Sequence, residues 1–269
     1  MGCSYKKGRL LVLGGTGFVG SEIAKRGVET GYEVVSVSRR GLPPGGLPQG
    51  SLLERVDWRA GDLVENPETI REILSEGGFV GVVHAVGMLL ASDLNAMASG
   101  SGSVPSPGAT YDAVTRATAF SAIDAAADCV EGAASSSGGD GDGKPAVPFV
   151  FVSAAEARWD FRAPVDWLEE YLVAKRAVER RLGEMTAAGR LRGSCLRPSL
   201  VYTFDRPQAL PAVAAFVVGN AIGIPFVDRP VTVDTLATAA VQAVEDPTVS
   251  GILDFREMER LAANAALYV

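Results

Sequence analysis

Two rhythms of apolar positions take turns along most of the chain. Short runs rich in Val, Leu and Phe read as strands buried on both faces, at Arg9–Leu13, Glu33–Ser38, Glu54–Arg59, Phe79–His84, Phe149–Ser153 and Gly193–Leu196. Between them, apolar residues recur every third or fourth position, as an amphipathic helix requires, over Phe18–Thr30, Glu68–Ser75, Tyr111–Val130 and Val165–Ala188. Gly31 closes the first of these helices. The alternation predicts βαβ units. It therefore predicts an α/β fold: a doubly wound parallel sheet with helices on both faces, spanning residues 9–202.

Three stretches break the rhythm. Gly100–Gly108 and Gly132–Pro148 are rich in Gly, Ser and Pro, and the second reads as a low-complexity surface insertion, because the αβ alternation resumes directly after it. The apolar stretch Ala209–Val227 contains Pro211, Gly219, Asn220, Gly223 and Pro225, which a membrane-spanning helix tolerates poorly. A buried helix followed by a strand is expected there instead. Residues 203–269 are too few for a second domain with its own large core. One domain over residues 1–269, with 203–269 as a small C-terminal α/β extension, is the expected organisation.

Composition narrows the function. Of 269 residues, 47% are hydrophobic and 21% charged, which excludes general disorder. A net charge of −7 argues against a nucleic-acid partner. Three cysteines without a C-x-x-C fit a reducing compartment, and a single histidine leaves no His-based metal site to expect. The first apolar run begins at Arg9, and no targeting segment is expected ahead of it in this numbering.

The strongest motif follows the first strand. In Gly14-Gly15-Thr16-Gly17-Phe18-Val19-Gly20 the glycines fit both G-x-G-x-x-G and G-x-x-G-x-x-G. Between a strand and a helix, such a run brings the backbone close to a pyrophosphate and aims the helix's unpaired N–H groups at it. At the end of the second strand an Asp or Glu would hold the ribose hydroxyls of NAD. Ser38-Arg39-Arg40 stands there instead. Those arginines either pair with a 2′-phosphate, favouring NADP(H) over NAD(H), or are solvated loop residues. Asp62, after the third strand, either caps the adenine side or is an ordinary turn residue.

On the helix after the fifth strand, Tyr171 and Lys175 share a face at i and i+4. A nearby ammonium lowers a phenol's pKa, so that Tyr171 can pass a proton while a hydride moves to or from nicotinamide. Ser153 closes the fifth strand and either orients the substrate oxygen or caps the strand end. His84 is a packed strand residue or a cofactor contact, and Trp159, Phe161 and Trp167 either wall an apolar pocket or pack in the core.

At these residues, together with Gly61-Asp62-Leu63, Leu196-Arg197-Pro198 and Val201-Tyr202, the chain resembles the extended, atypical branch of the short-chain dehydrogenase/reductase family. That resemblance implies a Rossmann fold and adds Leu63, His84, Ala85, Val86, Gly87, Arg197 and Pro198 to the cofactor-binding residues. Val82–Leu90 and the glycine turn look most like ubiquinone-biosynthesis dehydrogenase-like proteins, with the nucleotide-binding accessory subunit of respiratory complex I and chloroplast NAD(P)-binding proteins as relatives. The resemblance therefore implies a quinone-like or other apolar substrate. As the alternative it implies a structural NADPH site in a membrane-associated complex, and it implies a location on the matrix side of the mitochondrial inner membrane, with plastid and cytoplasm as the other locations. Thr115 stands where active members often carry a proton-relaying Asn, and the C-terminal region is shorter than theirs.

Overall fold

A computed structural model describes residues 7–43, 46–88, 108–135, 146–205, 210–222 and 228–267. Its centre is a seven-stranded sheet made of β1 (Arg9–Leu13), β2 (Glu33–Ser38), β3 (Asp57–Ala60), β4 (Phe79–His84), β5 (Val147–Val152), β6 (Leu191–Leu196) and β9 (Gly251–Leu253), in the order β3-β2-β1-β4-β5-β6-β9. All six pairings are parallel. A second, two-stranded parallel sheet pairs β7 (Val201–Tyr202) with β8 (Val231–Thr232).

The strands carry apolar residues in both phases of the pleat, so each face has its own core. Leu10, Val12, Val34, Val83 and Val150 point to one face, and Leu11, Leu13, Val35, Val82 and Phe149 to the other. The first face is covered by α1 (Phe18–Glu29), α6 (Val233–Glu245) and α7 (Phe255–Ala266). The second is covered by α2 (Glu68–Ser75), α3 (Thr118–Ser135) and α4 (Asp166–Ala187). Strand order reverses between β1 and β4, and in open α/β sheets ligands bind in the crevice beyond the strand ends at such a point.

The expected doubly wound sheet is therefore observed, with local corrections. Leu52–Arg55 is a 3₁₀ turn rather than the start of a strand. The turn packs Leu52 and Leu53 on the core, and Trp58 Nε1 donates to Leu53 O across it at 2.9 Å. The helix expected from Tyr111 opens with a π-helical turn, Asp112–Ala117, and runs to Ser135. The insertion expected at 132–148 is thus shorter, since helix and strand claim both of its ends; its remainder, 136–145, lies outside the described residues, as do residues 89–107 and 223–227. Within Ala209–Val227 the described part is α5 (Leu210–Ala221). It is not buried all round: Val217 and Val218 face outward, and Ile222 just beyond it is exposed. Residues 203–269 also do more than extend the fold, for β9 completes the main sheet beside β6.

Candidate active site

The glycine turn joins β1 to α1 at the switch point. Gly14 has φ +87°, and its N–H donates to Val37 O at 2.8 Å while Ala85 N donates to Leu13 O at 2.9 Å, so the turn is tied to both neighbouring strands. A Cβ on Gly20 would lie 2.2 Å from Gly14 O, and one on Gly15 would lie 2.1 Å from Ser36 Oγ. Gly17 N donates to Gly14 O at 3.0 Å. Of the two spacings, Gly14, Gly17 and Gly20 make the turn itself, while Gly15 and Val19 pack it on the sheet and core.

A cleft of about 220 Å³ opens beside this turn. Gly14, Thr16 and Gly17 form one wall, Ser38, Arg39 and Arg40 a second, and Asp62 and Leu63 a third. Ala85, Val86 and Gly87 line it from the end of β4. Sequence reasoning missed Val114 and Thr118, which line it from the π-turn and the start of α3, because the apolar rhythm there shows only a continuous helix. Arg39 and Arg40 are both exposed at the rim. Asp62 spends one oxygen on its own loop, accepting from Val64 N at 2.9 Å and Glu65 N at 3.3 Å.

Beyond Gly87 the catalytic candidates gather. A Cβ on Gly87 would come within 3.7 Å of Lys175 Nζ and 3.8 Å of Thr115 Oγ1, so the cleft wall, an ammonium and a hydroxyl meet at one point. Lys175 is buried. It donates to Val152 O at 2.6 Å, and its Nζ lies 4.8 Å from the Phe151 ring centre and 5.5 Å from that of Tyr171. Burial pushes this ammonium down to about 8, with Glu179 acting in the opposite direction. Tyr171 packs edge-on against Tyr111 at 5.8 Å, and burial first, then Glu156 and Tyr111, push its phenol up. Ser153 is buried at the end of β5.

Three expected cofactor contacts, His84, Arg197 and Pro198, are bonded within the fold. His84 is fully buried and is not among the residues lining the cleft; its Nε2 lies 3.0 Å from Oγ1 of Thr118, which does line it. Burial, then Lys175, push the imidazole down to about 3, and it stays neutral. Arg197 gives its guanidinium to Glu179, and Pro198 O accepts from Ala155 N at 2.8 Å; neither residue is among those lining the cleft. The aromatic residues divide: Trp159 and Phe161 stack at 5.1 Å, with Phe161 and Trp167 partly exposed rather than in the core.

The cleft suits a dinucleotide by its chemistry. Helix α1 follows an N-cap, Gly17, that has no capping side chain, and its first turn has no acidic residue, which leaves its N–H groups for an anion. Ser38 Oγ, Thr115 Oγ1 and Ser153 Oγ are buried without a hydrogen-bond partner among the described residues. Buried hydroxyls normally find one; Ser38 lines the cleft, and Thr115 Oγ1 lies beside Gly87 at its other end.

A Rossmann cleft of this form defines an NAD(P)-binding α/β protein. Residues 10–215 match the NAD dependent epimerase/dehydratase family, and the chain belongs to that family. It is similar to MIOREX complex component 2 of Saccharomyces cerevisiae, with 34% identity over 116 residues that cover 42% of this chain and 39% of that protein. A chloroplastic protein of Arabidopsis thaliana is 50% identical over 58 residues, 22% of this chain and 19% of its own length. Each match thus spans well under half of the relative. Among solved structures, a putative 2-deoxy-d-gluconate 3-dehydrogenase from Agrobacterium tumefaciens with bound NADP shares the fold, at a TM-score of 0.63 and 18% identity over 95% of this chain and 97% of that one.

Proposed function

We propose that the chain is an NADP(H)-binding oxidoreductase acting on a quinone-related or other apolar carbonyl. The observation that carries this reading is the convergence of Lys175 and Thr115 on Gly87, at the end of a cleft whose other end is rimmed by Arg39 and Arg40 with no carboxylate on β2's last residues. The glycine turn and the α1 N-terminus hold the pyrophosphate, and Arg39 and Arg40 pair with a 2′-phosphate. Lys175, cationic at neutral pH, holds the nicotinamide ribose. Ser153 orients the substrate oxygen, and Tyr171 exchanges the proton with it. Bound nicotinamide supplies or accepts the hydride. Titration with NADPH and with NADH, followed by Trp or nicotinamide fluorescence, tests the reading. Tight binding of NADPH and weak binding of NADH is expected, and no binding of either would sink it.

One observation favours a second reading, a non-catalytic NADPH-binding subunit. The Tyr171 phenol is held in its protonated form by burial and by Glu156, and Lys175 already serves the Val152 carbonyl. A relative that is named as a complex component fits that role. In this reading NADPH stiffens a subunit of a membrane-associated assembly at the mitochondrial inner membrane. Among the described residues no helix is long and apolar enough to cross a membrane. Tyr171→Phe separates the two readings: it abolishes turnover in an enzyme and leaves assembly intact in a subunit.

A further inference from the structure

Tyr171, Lys175 and Glu179 follow one another at every fourth position of α4 and so lie along one side of that helix. Glu179 is the residue that the Tyr/Lys pattern, taken alone, leaves out. Its carboxylate accepts two hydrogen bonds from Arg197, at 2.9 Å from Nε and 2.6 Å from Nη2. The pair is well covered, with side-chain exposures of 7% for Glu179 and 21% for Arg197. Arg197 stands directly after β6, and its own N–H donates to Leu253 O on β9 at 2.8 Å. The fork is therefore anchored in the sheet. It fixes both the rotation of α4 and the place of a negative charge one turn beyond Lys175.

The groups around Lys175 leave that charge without a rival among the described residues. From its own helix it meets Tyr171, whose phenol stays protonated, and Glu179. From β4 it meets His84, kept neutral by burial. From β6 it meets Cys195, whose thiol burial pushes up, so that it too is uncharged. From β5 it meets the Phe151 ring and the Val152 carbonyl, and across the cleft wall the Thr115 hydroxyl.

We propose that Glu179, locked in place by Arg197, is a positioning residue of the Tyr171/Lys175 site: it holds that face of α4 in register and supplies the anion that keeps Lys175 cationic in its buried position. Glu179 touches neither substrate nor cofactor in this account and acts through Lys175. The functional weight of the proposal rests on the reading of Lys175 as the ribose-holding group; the electrostatic link between the two residues does not. Burial alone drives a lysine toward neutrality, and a neutral Lys175 would lose the charge with which it serves the ribose.

The test follows the side-chain carbon resonances of isotopically labelled lysine through a pH titration, with the Lys175 signal assigned by its loss in Lys175→Met. In the unaltered chain the midpoint is expected near 8. Glu179→Gln should move it down by about one unit. Arg197→Gln should move it up, because the carboxylate then loses the cation that offsets it. A purely structural clamp predicts the same behaviour in both variants, with lower melting temperatures and Lys175 shifts of one sign or none. That outcome would overturn the proposal. Should Glu179→Gln fail to fold, the direction of the shift in Arg197→Gln decides alone. NADPH titrations of the same samples keep the two questions apart. Opposite shifts without NADPH binding would leave the electrostatic link standing and remove the oxidoreductase reading. With binding, the upper pH limit for NADPH should fall in Glu179→Gln by the amount of the lysine shift.

Discussion

The two ends of the cleft are built on opposite principles. Around the glycine turn, almost everything is backbone: Gly15 and Gly20 have no room for a Cβ, Gly14 sits at φ +87°, and hydrogen bonds from Gly14 and to Leu13 fasten the turn to the strands on either side. Around Lys175, almost everything is side chain: an ammonium, an imidazole and two hydroxyls are buried together, and several of their polar atoms have no partner within the protein. The first end is close-packed and consistent with the fold's own stability. The second holds groups that the fold would be more stable without, which is where function and stability part company.

The largest effect should come from disturbing the first end. Gly20→Ala places a methyl group 2.2 Å from the Gly14 carbonyl, with backbone on both sides and no flexible side chain to yield. A loss of about 3 kcal/mol is expected, read by urea unfolding, together with loss of NADPH binding. An unchanged midpoint would mean that the turn is looser than its contacts imply.

At the second end, acid is the sharper probe. His84 is the one histidine of the chain, and its folded value near 3 lies below the unfolded 6.5. Between those values the unfolded chain binds more protons than the native one, so this residue's contribution to stability is present above about pH 6.5 and is lost as the pH falls. At pH 5 the loss is about 2 kcal/mol. His84→Gln keeps a polar group toward Thr118 and removes the titration. The variant's stability should therefore fall less than the wild type's between pH 7 and pH 5. Parallel curves would show that the imidazole can reach water.

Lys175 repeats this linkage with the same sign, in a higher pH window. Its folded value near 8 lies below 10.5, so between them stability rises with pH, and the buried ammonium is a burden at neutral pH. Lys175→Met should abolish NADPH binding while raising stability at pH 7 by about 1 kcal/mol, less than the full desolvation because the Val152 carbonyl loses its donor. Thermal melts at pH 7 and pH 9 would check it. A variant less stable than the wild type at pH 7 would place the lysine among the fold's supports.

This asymmetry also explains what could be read in advance. Strand runs such as Glu33–Ser38 and the glycine spacing are local signals, and a parallel sheet buried on both faces leaves little freedom in how they assemble. Tyr171 and Lys175 were legible because helical spacing is also local. Arg197 was not: whether its guanidinium meets a cofactor or Glu179 depends on how α4 crosses β6, which no window of sequence contains. The π-turn that buries Thr115 was hidden for the same reason, and so was the contact of His84 with Thr118. Glu179 itself was within reach, since extending the four-residue period by one step finds it.

The smallest effect should fall on the rim, where the glycine-turn end meets solvent. Arg39 and Arg40 are exposed, so replacing them should leave the unfolding midpoint within about 0.5 kcal/mol of the wild type. Their pairing with a 2′-phosphate would be a charge-assisted contact, partly screened by water and salt. Arg39→Ser combined with Arg40→Ser should then weaken NADPH about tenfold, equivalent to about 1.4 kcal/mol, and leave NADH unaltered. The NADPH loss should shrink as salt is raised, because an exposed ion pair is what is being removed. If both nucleotides weaken together, the arginines serve the pyrophosphate or the loop. If neither weakens, the arginines do not read the 2′-phosphate, and the preference between NADP(H) and NAD(H) is set elsewhere in the cleft, at polar residues such as Ser38 and Asp62.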